Sequence, residues 1–269
     1  MPDGEASKSA GGVSDEVGVR VKFNCRYLGR LEDWWHAAGT TAEQREKFDA
    51  NLLTMACALE WMQDRGAAPV APDGRLAGNA AAVLARTAGG VGGDDQLTLL
   101  VSRSGRAQGP SDTERDFCVV TSFDFTAWSC GYYASSSEIQ PTSDTPLHWS
   151  ALLESRTASV SLHGHAFETE AKAAAINVPC SNVETLFSTP EDTAALVELM
   201  RQHPYPRCRM YIRRGHGFVI LGSSFPQAEA LLDAKLHILR VGKPSKRQWL
   251  LAAVLCVILS ACVSLLVLR

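Results

Sequence analysis

Short runs rich in β-branched and aromatic residues alternate with amphipathic stretches along most of the chain, and this alternation confines it to a mixed α/β fold. The runs are QLTLLVSRSG, DFCVVTSFDF, WSCGYYA, ASVSLHGHAF and RMYIRRGHGFVILG, each bounded by Gly, Pro, Ser or Asp. Helical stretches lie between them. TPLHWSALLESR follows the third run, PEDTAALVELMRQ precedes the last and FPQAEALLDAKLHILRV follows it. Thr189-Pro190-Glu191-Asp192 is a helix start, with Thr as N-cap, Pro at the first helical position and acids in the first turn. Upstream, residues 41–65 open on Thr41 and place Phe48, Leu52, Leu53, Met55, Ala56 and Leu59 at helical spacing, which predicts an amphipathic helix. A Pro- and Gly-rich linker at residues 67–79 separates that helix from the strand-like runs. The sequence carries no repeat at a fixed period and no sustained heptad.

An apolar share of 46% over 269 residues is enough to bury a substantial core. The net charge of -3 supplies no basic field, so the partners expected do not include nucleic acid. The eight cysteines are scattered without a Cys-x-x-Cys pair and without a secretory signal, and they read as reduced thiols.

From Trp249 to Leu268 run twenty uncharged residues, WLLAAVLCVILSACVSLLVL. At about 1.5 Å per residue such a helix is roughly as long as the 30 Å core of a bilayer. The expectation is one C-terminal transmembrane helix. Lys243, Lys246 and Arg247 precede it and only Arg269 follows, which by the positive-inside tendency leaves the N-terminal part in the cytosol. The expected organisation is a disordered tail at 1–16, a folded domain at 17–242, a basic juxtamembrane linker at 243–248 and a membrane anchor at 249–268. The localisation expected is a membrane, with lipid as a partner through 249–268.

Chemistry concentrates at the histidines. His163 and His165, in SVSLHGHAFET, share one face of a strand, because side chains alternate with a period of two. His216, in RRGHGFVILG, stands between glycines that let the backbone approach closely or adopt unusual dihedrals. Catalytic zinc sites commonly take three protein ligands and leave a fourth position open, which is the count these three provide. The alternative is a set of ordinary strand and turn histidines. Asp144 lies nineteen residues before His163, and a carboxylate near a divalent cation is a suitable proton-transfer group. Thr142, Ser143 and Asp144 are also N-cap residue types for the helix beginning near Pro146, and that alternative stays open.

PTSDTPLH, then LHGHAF, then IRRGHGFVILG with an Ala-rich amphipathic helix after it, resembles the class II aldolase and adducin-head family in order and separation. LAGNAAAVLAR looks like the family's Gly-Asn phosphate-loop segment, and LTLLVSRSGR like its strand leading to a Ser/Thr-Gly turn. The resemblance spans residues 40–240. It implies an α/β, class II aldolase-like three-layer fold, with a mainly antiparallel central sheet flanked by helices. It implies that His163, His165 and His216 bind Zn2+ or another divalent cation, and that Asp144, where the family usually has Glu, is the catalytic proton-transfer group. Gly78, Asn79, Ser104, Gly105, Thr142 and Ser143 then surround the phosphate of a sugar phosphate; Arg103 and Arg106 could add charge, without a place assigned to them. The implied reaction is a metal-dependent lyase step through an enediolate: aldol cleavage, epimerisation or dehydration. The implied assembly is a homotetramer, with Tyr205 and Tyr211 as candidates for groups reaching a neighbouring subunit's site. The alternative is a non-catalytic, adducin-head-like binding or scaffold protein.

Overall fold

The computed structural model describes residues 21–37, 39, 41–87 and 96–241. Eight strands form one sheet: β1 (Asn24–Gly29), β2 (Gly78–Thr87), β3 (Gln96–Ser102), β4 (Phe117–Asp124), β5 (Ser129–Tyr133), β6 (Val160–Gly164), β7 (Met210–Arg213) and β8 (Gly217–Gly222). Their spatial order is β1-β5-β4-β3-β2-β6-β8-β7. Every neighbouring pair is antiparallel except β1 with β5. Six helices complete the fold: α1 (Leu31–Ala37), α2 (Ala42–Asp64), α3 (Thr145–Ser155), α4 (Glu170–Ile176), α5 (Pro190–Gln202) and α6 (Phe225–Val241).

Alternation along the strands divides the interior into two cores. On β2, Ala80, Ala82 and Leu84 pack with Met55, Leu59 and Met62 of α2 and with Leu232 and Leu236 of α6. Ala81 and Val83, between them, join the core built with Leu147, Ala151 and Leu152 of α3 and Leu196 and Leu199 of α5. On β8, Phe218 and Ile220 face the first core, Val219 and Leu221 the second. The sheet is thus the middle of three layers, as the resemblance implies.

Local signals set the helix ends. Thr41 caps α2 in a capping box: its side chain accepts from the Gln44 amide, while the Gln44 side chain accepts from the Thr41 amide. Thr189 accepts from the Asp192 amide at the start of α5, with Pro190 in the first turn. The segment RMYIRRGHGFVILG, expected as one strand, is the hairpin β7–β8, and LAGNAAAVLAR, expected as a phosphate loop, supplies the central strand β2.

The membrane-spanning part of the expected fold class is corrected. Among the described residues no helix is long and apolar enough to cross a membrane. The longest, α2, carries charged residues from Glu43 to Asp64 and keeps a polar face. The apolar run at 249–268, the basic segment at 243–248 and the tail at 1–16 lie outside the described residues. The class that stands is α/β with an eight-stranded, mostly antiparallel sheet and no membrane-spanning helix among the described residues. The expected membrane localisation and lipid partner are not retained.

Candidate metal centre

Strand β6, the segment that follows it and the β7–β8 turn bring three histidines together at the end of β6. His163 is on β6, on the same face as Ser161, and is opposite Asn79 of β2 in the ladder. His165 follows just beyond the strand, its amide bonded to the Ala67 carbonyl at 3.0 Å. His216 lies in the β7–β8 turn, with its amide 3.0 Å from the Arg213 carbonyl. Gly217 makes that turn possible: it has φ +141°, and a Cβ there would fall 2.3 Å from the Gly164 carbonyl oxygen. One donor nitrogen from each histidine lies within 4.8 Å of the others. His163 Nε2 and His165 Nε2 are 3.3 Å apart.

The outer nitrogens are held from behind. His163 Nδ1 donates to the Phe218 carbonyl at 2.8 Å, and His216 Nδ1 donates to Asp192 Oδ2 at 3.0 Å. Both bonds leave Nε2 as the inward-facing nitrogen, the arrangement in which a histidine serves as a metal ligand. Asp192 sits in the first turn of α5 and is itself fixed by Arg213, whose Nε and Nη2 lie 3.0 and 2.9 Å from Asp192 Oδ1. Thr185 donates to the same oxygen and accepts from Arg213 Nη2 at 2.6 Å.

Asp144 occupies the N-cap position of α3, yet its side chain makes no cap hydrogen bond. The Asp144 amide donates to Thr142 Oγ1 at 3.3 Å. The Asp144 carboxylate is buried and turned to the histidines instead. Its Oδ2 accepts from Asn79 Nδ2 at 2.6 Å and lies 3.7 Å from His163 Nε2. Oδ1 is 3.2 Å from His216 Nε2, close enough to pair with that ring when it is protonated. The alternative reading of Asp144 as a side-chain cap is not what the structure shows.

Burial and charge oppose each other across this cluster. Burial depresses His163 to about 4 despite the nearby Asp144 charge. His216 would also be depressed by burial, but Asp144 and Asp192 outweigh it and lift it to about 10. Burial likewise pushes Asp144 up, and the His163 charge, the hydrogen bond and charge of His216 and the Asn79 hydrogen bond overcome it, leaving the carboxyl well below its usual range.

These residues fit a divalent cation. With Zn–N bonds of about 2.0–2.1 Å, two tetrahedral ligands stand roughly 3.3 Å apart, which matches the spacing of His163 and His165. The buried Asp144 carboxylate beside the inward-facing nitrogens adds negative charge that a cation at the histidines would meet.

The expected phosphate contacts divide into two groups. Gly78 is a ladder residue opposite Gly164, packed so closely that a Cβ would fall 2.5 Å from Ala68 Cβ. The Asn79 side chain is engaged by Asp144 and His148, and Thr142 donates its amide to Ser102 and accepts from Asp144. Ser104, Gly105 and Ser143 are half-buried, on adjoining turns linked by the Ser104 amide to the Gln140 carbonyl. Arg103 pairs with Asp116 at 2.7 Å and Arg106 donates to Gly109 and Ser111. Tyr211 is buried, its one hydroxyl hydrogen shared between the carbonyls of His203 and Cys208 at 2.8 and 2.9 Å. Asp192, Arg213 and His148 belong to the site's framework without being singled out by the sequence. The only signal for His148 is its place four residues after Asp144, on the same helix face.

No family model matches the sequence, and no curated protein matches it. Solved structures do match. The sugar-phosphate aldolase of Thermotoga maritima is similar over 74% of this chain and 99% of its own, with 14% identity and a TM-score of 0.51. An aldolase II superfamily protein of Pseudomonas syringae is similar over 78% of this chain and 79% of its own, with 12% identity and a TM-score of 0.50. The likeness is one of fold: the described residues form an α/β, class II aldolase-like fold.

Proposed function

We propose that the chain is a divalent-metal-dependent lyase of the class II aldolase type, with zinc as the expected ion and a phosphorylated hydroxy-carbonyl sugar as substrate. The observation that carries this reading is the convergence of His163, His165 and His216 on one point beside the buried carboxylate of Asp144. A cation bound by the three histidines would supply Lewis-acid polarisation of the hydroxy-carbonyl end. Asp144 is the proton-transfer group: its ionised carboxylate, with Oδ1 3.2 Å from His216 Nε2, is the acceptor facing the cluster. The half-buried Ser104, Gly105 and Ser143 are the groups left to receive phosphate oxygens, through hydroxyls and backbone amides. The expected assembly is a homotetramer, which the molar mass by light scattering tests.

Elemental analysis of the purified chain is the deciding experiment, alongside His163→Ala and His216→Ala. About one divalent ion per chain, lost in both variants, supports the reading. Screening a panel of ketose and aldose phosphates for cleavage, epimerisation and dehydration then identifies the reaction. A folded chain that takes up no metal when supplied with zinc would refute the lyase and favour a binding module on the same fold.

A further inference from the structure

His148 is fully buried on α3, and both of its ring nitrogens are engaged. Nε2 lies 2.6 Å from Asn79 Oδ1, and Nδ1 lies 2.8 Å from Ser161 Oγ. Asn79 in turn places Nδ2 2.6 Å from Asp144 Oδ2. An ionised carboxylate and an amide oxygen can only accept, so the direction of donation is set from the charged end. Asn79 must present its NH2 to Asp144. Its Oδ1 then accepts from His148 Nε2–H, and that tautomer leaves Nδ1 to accept from the Ser161 hydroxyl. Burial depresses His148 to about 3, so the ring is neutral and carries the single proton this order requires. Turning the Asn79 amide over would set oxygen against oxygen at the Asp144 end and nitrogen against His148, in a buried site where unmade hydrogen bonds are costly.

We infer that His148 is a positioning residue for Asp144, acting through Asn79 to fix which end of the amide meets the carboxylate and so to aim that carboxylate at His163 and His216. The inference rests on the proposed metal centre. It also commits the Asn79 amide to the carboxylate, so that the side chain serves the orientation of Asp144 and not the phosphate. Without the Asn79 donor the carboxylate is free to rotate, and a cation among the histidines meets less negative charge.

A double-mutant cycle in the full chain tests this, read as the dissociation constant for zinc in competition with a chromogenic chelator. His148→Ala is expected to weaken zinc binding roughly tenfold where Asp144 is present. In an Asp144→Asn background it is expected to have no further effect, since the group it positions is gone. His148→Gln, whose amide N–H can replace the donor to Asn79, is expected to recover most of the loss. Equal losses in both backgrounds, or wild-type affinity in a folded His148→Ala chain, overturn the inference. Should His148→Ala not fold, Asn79→Ala breaks the same chain of bonds one link later and has the same two outcomes. The ¹⁵N shifts of His148 in the wild-type chain without added metal provide a zinc-independent reading, expected to show a neutral ring protonated at Nε2. Protonation at Nδ1 overturns the inference whether or not zinc binds. An Nε2-protonated ring in a chain that takes up no zinc refutes the metal centre and leaves the positioning of Asp144 standing.

Discussion

Asp192 Oδ2 lies 3.0 Å from His216 Nδ1, and both side chains are buried. The bond ties the first turn of α5 to the β7–β8 turn, and Arg213 holds its acceptor in place from the other oxygen. A histidine bonded in this way keeps one ring orientation and one tautomer.

Removing the charge of Asp192 should therefore be felt at the metal. Asp192→Asn is expected to weaken zinc binding roughly 10–100-fold, measured by chelator competition. Asp192→Ala also leaves the buried Arg213 without its carboxylate. That variant is expected to lose about 3–5 kcal/mol of stability, read as a lower urea midpoint in the metal-free chain.

Metal uptake should release protons. In the metal-free chain His216 stays protonated up to about 10, and an ion must displace that proton to reach Nε2. Zinc affinity is expected to rise about tenfold per pH unit from roughly pH 7 to pH 9. Calorimetry in buffers of different ionisation enthalpy should find about one proton released per ion. A pH-independent affinity would contradict this.

His216 and His163 also shape the stability of the metal-free chain. His216 has a folded pKa raised above its unfolded value of about 6.5, so its contribution is full below that value and is lost as the pH rises through about 10. His163 is depressed to about 4, so unfolding takes up a proton between about 4 and 6.5, and stability rises with pH across that window. The urea midpoint of the metal-free chain is expected to peak near pH 6.5 and to fall on both sides.

Gly217→Ala tests the turn that carries His216. The new Cβ would meet the Gly164 carbonyl oxygen at 2.3 Å, at a φ that L-residues avoid. A loss of at least ~2 kcal/mol is expected by urea denaturation. Zinc binding should weaken as well, because relief of the clash moves His216 away from His163.

Thr189→Ala removes the cap of α5 one residue before its proline. The expected cost is ~1 kcal/mol in thermal or urea unfolding. The Asp192 amide loses its acceptor in this variant, so a small decrease in zinc affinity should accompany the loss of stability.

The sequence carries the helices more clearly than the sheet. α5 and α6 are legible to within a residue, because Thr189-Pro190 marks one start and an unbroken amphipathic run defines the other element. β2 is not legible, since GNAAAVLART lacks the β-branched density of a strand and alanine favours helices. Its small residues are required by packing: Gly78 has no room for a Cβ beside Ala68, and Ala80 and Ala82 lie in the core with α2. Tertiary contact, absent from any local window, decides that element. The three histidines are legible because a strand pair two apart and a Gly-flanked turn already restrict where their side chains go. The direction of the Asp144 carboxylate is not, because N-caps and acid-base sites favour the same residue type. The folded chain resolves the choice: the carboxylate makes no cap hydrogen bond and accepts from Asn79 beside the histidines. His148, Asp192 and Arg213 are invisible for a related reason: each is an ordinary helix or strand residue until the layers close.

Asn79, Asp144, His163, Asp192 and His216 come from five separate parts of the chain: a strand, a helix start, a second strand, a helix first turn and a hairpin turn. No single hairpin or helix pair contains more than a fragment of the cluster. Pairing β6 one residue out of step with β2 would send His163 to the opposite side of the sheet, among the apolar residues of the α2 layer. Ion uptake is thus an assay of strand register. A cation at a hundred times its dissociation constant would add about 2.7 kcal/mol to the correctly aligned sheet and nothing to a slipped one, selecting one alignment from among chains of identical composition.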